Sequence, residues 1–243
     1  MNYKIVVPIY KNKLSHNELL SFNNIVNFYS LSNICLVIPS ELNVDDNLKD
    51  VNVEKFDDGF FVDLKSYNKL MLSQGFYKRF EKYNYILIHQ LDAFIFKDDL
   101  DYWCKKNYDY IGAPWLKSDN IFYNFFQRKK LKDRKPIFFK VGNGGLSLRK
   151  TKTFLDFFDS HQDIIDQFEN HKLYGIEDVF WSLIAPNHSS FNIPDYKIAS
   201  KFSLDRKPEL GLKLNDCKLP FGCHGFEKSK TKPFWKKYIK GLK

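Results

Sequence analysis

The chain lacks the signatures that would place it in several large classes. None of its 243 residues lies in an apolar run approaching the ~18 needed to cross a membrane. Its first apolar stretch, Ile5 to Ile9, is closed by Lys11, which reads as a buried strand and is too short for a secretory h-region. The four cysteines, Cys35, Cys104, Cys217 and Cys223, form no Cys-x-x-Cys pair, and a chain of this length needs no disulfide framework. With no export signal, the expected setting is a reducing cytoplasm with free thiols. There is no P-loop, no complete Gly-x-Gly-x-x-Gly, no internal repeat and no clean linker. Hydrophobic residues at 44% against 28% charged exclude wholesale disorder.

What is present in excess is positive charge. Lys and Arg number 38 against 29 Asp and Glu, a net of +9. Residues 228–243 hold seven Lys and no acid, so the first 227 residues carry 31 basic and 29 acidic groups. A near-neutral body with no recognised motif argues against a nucleic-acid partner. In the tail, Phe234, Trp235, Tyr238, Ile239 and Leu242 recur at helical spacing between lysines. That is the pattern of a short amphipathic helix on an anionic membrane. The same spacing also fits aromatics packed back on the domain beneath a solvated lysine face. Residues 1–227 read as one domain and 228–243 as its basic amphipathic tail.

Periodicity gives alternating strands and helices in the first hundred residues. Tyr3–Ile9, Ile34–Ile38 and Tyr85–His89 are compact β-branched runs, and a short strand is compatible with Val51–Val53. Ser15–Tyr29 and Leu64–Phe80 carry helical spacing. This order predicts an α/β fold with a parallel sheet flanked by helices, and ligands then sit at the carboxyl ends of the strands. Beyond Asp109–Ala113, the stretch Pro114–Pro136 reads as an exposed aromatic and basic loop. Ile137–Val141 and Leu146–Arg149 read as two strands about a glycine turn, followed by helices at Lys152–Phe158 and Glu177–Ile184.

Four short constellations carry chemistry. Asp92 follows the Tyr85–His89 strand, where a carboxylate can hold a divalent cation against phosphate oxygens or cap a turn. In Val141–Arg149, Asn143-Gly144 between β-like runs signals a hairpin, and the glycines also let a ligand approach the backbone. Glu177 and Asp178 open an apolar helix, where acids favour the helix dipole. Neighbours on a helix diverge by about 100°, so one can face a cleft as general base, beside Trp181 as an aromatic wall, while the other is held structurally. His224 lies between glycines in Pro220–Phe226, and an imidazole beside carboxylate and water suits Mn²⁺.

Taken in order, VVPIY (6–10), QLDAF (90–94), YDYIGAPW (108–115), VGNGGLSLR (141–149), EDVFW (177–181) and FGCHGF (221–226) resemble the GT-A class of nucleotide-sugar glycosyltransferases. They resemble in particular an uncharacterised bacterial glycosyltransferase family with the QLDAF, VGNGGLSLR and EDVFW stretches. The resemblance implies a GT-A-like, Rossmann-like, mostly parallel sheet and a nucleotide site at Pro8, Ile9, Tyr10, Asn68, Gln90 and Asp92. It implies Mn²⁺ or Mg²⁺ on Asp92 and His224, and donor and acceptor contacts from Asn143, Gly144, Gly145, Trp115 and Trp181. It makes Asp178, by preference, or Glu177 the candidate base, and gives aromatics near the cleft such as Trp103, Trp115, Phe122 and Tyr123 a use as sugar platforms. The implied donor is a UDP-sugar and the implied acceptor a saccharide or lipid-linked saccharide of surface polysaccharide or lipopolysaccharide. The protein would be cytoplasmic, with peripheral membrane contact through 228–243. The sequence departs from the class in having one acid, not two, whether the Asp-x-Asp motif aligns with Gln90-Leu91-Asp92 or with Asp92-Ala93-Phe94, and in keeping only Tyr174-Gly175 where Trp-Gly-Trp precedes the acid pair. A carbohydrate- or nucleotide-binding protein without activity on the same fold is the alternative.

Overall fold

A computed structural model describes residues 2–45, 48–117, 135–168 and 176–243. Four strands pair in parallel in the order β3 (Asn52–Phe56), β2 (Ile34–Pro39), β1 (Tyr3–Pro8) and β4 (Tyr85–His89). Ile5, Val7, Leu36, Val37, Ile86 and Leu87 are fully buried. Both faces of β2, β1 and β4 are covered, which is why they are near-continuous apolar runs and do not alternate, whereas the edge strand β3 is polar and largely exposed. The helix α1 (His16–Phe28) begins at a capping box in which Ser15 Oγ accepts from Glu18 N and Glu18 Oε2 accepts from Ser15 N.

Two expected elements are corrected. The helix expected over Leu64–Phe80 is two, α2 (Leu64–Met71) and α3 (Gln74–Lys78). Ser73 breaks it, because its hydroxyl donates to Leu70 O and accepts from Phe76 N, closing one helix and capping the next. The hairpin expected about the glycine turn does not form. Residues 135–137 are a 3₁₀ turn, and the segment before the turn makes one isolated bridge, Val141 to Pro114. The strand after it, β7 (Leu146–Lys150), pairs antiparallel with β4 and with β6 (Tyr110–Ile111), completing six strands. The expected loop at Pro114–Pro136, with Phe122 and Tyr123, lies largely outside the described residues, as does Tyr174-Gly175.

Short elements build a second sheet at one end of the first. β5 (Ala93–Ile95) pairs antiparallel with β9 (Gly222–His224), and β9 pairs parallel with β8 (Ser203–Leu204). α4 (Leu100–Lys105) follows β5, and α5 (Thr151–Phe168) follows β7, broken at His161 (φ −142°, ψ 32°). After them come the single turn α6 (Glu177–Val179), a π-helical stretch Phe180–Ile184, α7 (Tyr196–Phe202) and α8 (Pro208–Leu214). No helix among the described residues is long and apolar enough to cross a membrane.

The tail corrects the membrane expectation. Phe234 and Trp235 of α9 (Lys232–Trp235), with Ile239 and Leu242, are buried against Leu204, Cys223 and Phe226 beneath the small sheet. Trp235 stacks on Phe96 at 5.5 Å, and the chain end is tied to α1 by His16 to Gly241 O and Lys243 N to Asn17. The stripe read as membrane-facing is filled by protein, so residues 228–243 form no separate appendage. Trp235→Ala is expected to lower unfolding stability by about 3–5 kcal/mol in a denaturant titration. Unchanged stability would show that the tail adds nothing to the core.

Candidate active site

The small sheet sets one side of the site by register. Ala93 lies opposite His224 and Leu204 opposite Cys223, so Asp92, just before β5, and Asp205, just after β8, flank the imidazole. His224 Nε2 lies 2.8 Å from Asp92 Oδ1 and 3.1 Å from Gln90 Oε1, while Nδ1 lies 3.5 Å from Asp205 Oδ1. Lys228 Nζ lies 3.6 Å from a carboxylate oxygen of each aspartate. Burial disfavours the Asp92 anion, yet His224 and Lys228 hold its carboxyl down to about 2. Burial likewise works against the imidazolium, and Asp92 and Asp205 together lift His224 to about 9. His89, the last residue of β4, is buried with neither ring nitrogen partnered among the described residues, and burial pushes it down to about 4.

The turn Gly142–Gly145 forms the floor. Gln90 N donates to Gly145 O, joining the ends of β4 and β7. A Cβ on Gly145 would overlap His224 Nε2, and one on Gly144 would overlap Glu177 Oε1, so both positions require glycine for close approach. Gly144 N donates to Asp178 Oδ2 at 3.2 Å, and Asp178 Oδ1 is buried with no hydrogen-bond partner among the described residues. Consecutive glycines therefore touch the acid pair on one side and the Asp92–His224 edge on the other.

Glu177 and Asp178 divide their roles. Glu177 is paired at 3.0 Å with Arg149, which is fully buried and also donates to Tyr77 and Ser147. Burial raises Glu177 to about 7 against the pull of Arg149. Asp178 forms no ion pair with a described residue, and burial raises its carboxyl above the ordinary range despite the Gly144 N–H. Glu177 is thus tied to Arg149, while Asp178 accepts from the Gly144 N–H.

Other expected residues are placed less simply. Pro8 and Ile9 are buried at the end of β1, with Ile9 N bonded to Val37 O, and only Tyr10, 64% exposed, offers a side chain there. Asn68 is not free for a nucleotide: its Oδ1 accepts from Glu177 N and its Nδ2 donates to Leu64 O, so it fixes the start of α6. Trp181 is no sugar wall. It is fully buried, packed on Phe154 at 4.3 Å and stacked on Phe191 at 5.9 Å. Trp103 is likewise core, edge-on to Phe202. Trp115 does reach the turn, with its ring against Gly142, and Asn143 donates to Asp205 at 2.8 Å. Sequence reasoning missed Asp205, Lys228 and Arg149. Arg149 had a signal, a lone cation in an apolar strand that demands a buried anion.

A family profile described as a protein of unknown function, DUF5672, matches residues 50–224. The chain belongs to the DUF5672 family. No curated protein matches it. Among solved structures, mouse xyloside xylosyltransferase 1 in its apo form is similar with a TM-score of 0.54 and 11% identity, over 93% of this chain and 98% of that one. The galactosyltransferase LgtC, solved with donor and acceptor sugar analogues, gives 0.53 and 10% over 93% and 88%. The apo glycosyltransferase GlyE of Streptococcus pneumoniae gives 0.51 and 11% over 99% and 60%. At these identities the likeness establishes the fold, an α/β GT-A fold whose similar structures are glycosyltransferases.

Whether this DUF5672 chain suits a divalent ion is decided by its donors. No group of three His, Cys, Asp or Glu side chains among the described residues makes a cation site. What converges is one carboxylate oxygen, one amide oxygen and one imidazole nitrogen, from Asp92, Gln90 and His224. The set fits Mn²⁺ or Mg²⁺ completed by phosphate oxygens and water, provided Nε2 gives up its proton.

The two histidines make opposite pH signatures. His224 titrates higher in the fold than its unfolded value of 6.5, so its stabilising contribution is complete below pH 6.5 and lost as pH rises through about 9. His89 titrates lower, at about 4, so its contribution is present above pH 6.5 and lost as pH falls toward 4. In metal-free buffer, the melting temperature of the native chain relative to His224→Gln should therefore decline from pH 6.5 to 9. Relative to His89→Gln it should decline from pH 6.5 to 4. Parallel pH curves for either pair would refute that assignment.

Proposed function

We propose that the protein is a glycosyltransferase that moves a sugar from a nucleotide-sugar donor, a UDP-sugar by preference, to a saccharide acceptor of surface polysaccharide or lipopolysaccharide. The observation that carries this reading is the glycine turn, whose adjacent residues Gly144 and Gly145 contact a carboxylate pair on one side and a cationic, oxygen-rich edge on the other. Glycosyl transfer needs both within one sugar's reach. The acceptor oxygen bonds to the anomeric carbon as the bond to the diphosphate breaks, the hydroxyl proton leaves, and negative charge grows on the departing phosphates.

In this reading Asp178 takes that proton. Its burial makes it a stronger base than an exposed aspartate, and Arg149 and Asn68 hold it in place through Glu177. Lys228 brings a cation to the diphosphate side, and Tyr10 at the end of β1 offers a ring to the nucleobase. Mn²⁺ or Mg²⁺, held when bound by Asp92, His224 and Gln90, would neutralise the leaving diphosphate.

The test is turnover of UDP-, GDP- and CMP-sugars with and without Mn²⁺. Asp178→Asn should lower turnover by about 10²–10⁴-fold while donor binding, followed by calorimetry, persists. Asp92→Ala should weaken donor binding itself. If the native chain binds a nucleotide-sugar and turns over none of the panel, the reading as an enzyme fails and a binding protein on this fold is left.

A further inference from the structure

Asp205 has no part in the chemistry above, yet it joins the two halves of the site. It follows the two-residue strand β8 and is 5% exposed. Its Oδ2 accepts from Asn143 Nδ2 at 2.8 Å, and Asn143, held at φ +64°, accepts from Gly145 N through its own Oδ1. Its Oδ1 lies 3.5 Å from His224 Nδ1.

Those last two atoms are both buried, and neither has a hydrogen-bond partner among the described residues. A buried donor and a buried acceptor left open are costly. Here they face each other a few tenths of an ångström beyond the ~3.2 Å limit of a good N–H···O bond. The cations near Asp205, Lys228 at 3.6 Å and Arg206 at 3.8 Å, are 46% and 64% exposed and can turn to solvent, whereas His224 cannot. Across the ring, Nε2 faces Asp92 and Gln90. A neutral imidazole presents a lone pair at one nitrogen only if the other holds the proton.

We propose that Asp205 is a positioning residue that accepts a hydrogen bond from His224 Nδ1–H, fixes the tautomer whose Nε2 lone pair faces Asp92 and Gln90, and ties that orientation to the glycine turn through Asn143. This is the carboxylate–histidine arrangement that raises ligand basicity at metal sites. It rests on the reading of the Asp92–His224 edge as the divalent-cation side.

The experiment measures Mn²⁺ affinity of the full chain by electron paramagnetic resonance of free Mn²⁺, in the presence of UDP. Asp205→Ala should bind Mn²⁺ about 10- to 100-fold more weakly than the native chain, and Asp205→Asn, which keeps an oxygen acceptor, should fall between. In long-range ¹H–¹⁵N spectra with Mg²⁺ and UDP, His224 should show a protonated Nδ1 in the native chain and a mixture of tautomers in Asp205→Ala. Equal Mn²⁺ affinity and an unchanged ring in a folded Asp205→Ala would overturn the role of Asp205 while leaving the cation side intact. Failure of the native chain to bind Mn²⁺ at all would overturn both. Should Asp205→Ala not fold, Asp205→Asn decides on the same two measurements, with native-like values in both overturning the proposal.

Discussion

The close approach of side chains to the backbone at Gly144 and Gly145 is the constraint on which the site depends. Glu177 and Arg149 lie against the first glycine and His224 and Gln90 against the second. A protein interior is close-packed, so even one added methyl group must displace something. At these positions it would displace a buried ion pair or the imidazole. The turn also leads directly into β7, whose register with β4 starts at Leu146 opposite His89. A displacement there would therefore travel into the central sheet as well as across the site.

Charge is arranged around that turn in pairs. Asp92 and Asp205 are answered by His224 and Lys228, and Glu177 is answered by Arg149. Asp178 forms no ion pair among the described residues, and its Oδ2 accepts from Gly144 N in the glycine turn. A buried carboxylate without a cation of its own binds protons more readily, which is the property a base needs. Burial lifts Glu177 as well, to about 7, and what sets it apart is the Arg149 pair that fixes its orientation. The difference between the two adjacent acids follows from the roughly 100° between neighbours on a helical turn, with Arg149 reachable from only one of them.

The parallel strands were legible because strands buried on both faces must be apolar throughout, as in Ile5–Ile9 and Tyr85–His89. The acid pair, the glycine turn and His224 were legible as chemistry because their residue types are unusual in those settings. Asn68 and Trp181 misled for one reason: residue type reveals that a polar or aromatic group has work to do, and not whether that work faces a ligand or the core. Asn68 caps a buried helix start and Trp181 fills a cluster of phenylalanines. The small sheet could not be read at all. Strands of two or three residues are shorter than the period of any pattern, and β8 and β9 exist because tertiary pairing holds them. Asp205 owes its place to that pairing alone.

The tail shows the same limit from the other direction. Apolar residues at helical spacing between lysines state that one face is buried, without stating in what. Lipid and an uncovered protein surface present the same demand, and the second was available here in Leu204, Cys223, Phe226 and Phe96. Once Trp235 is anchored there, the chain before it is fixed too. Thr231 Oγ1 donates to Gly225 O, and Lys228 N donates to the same carbonyl, so the first lysine of the tail is delivered to Asp92 and Asp205. The charge excess that looked like a surface property of an appendage therefore begins inside the site. The packing of the chain's end is what holds a cation beside Asp92 and Asp205.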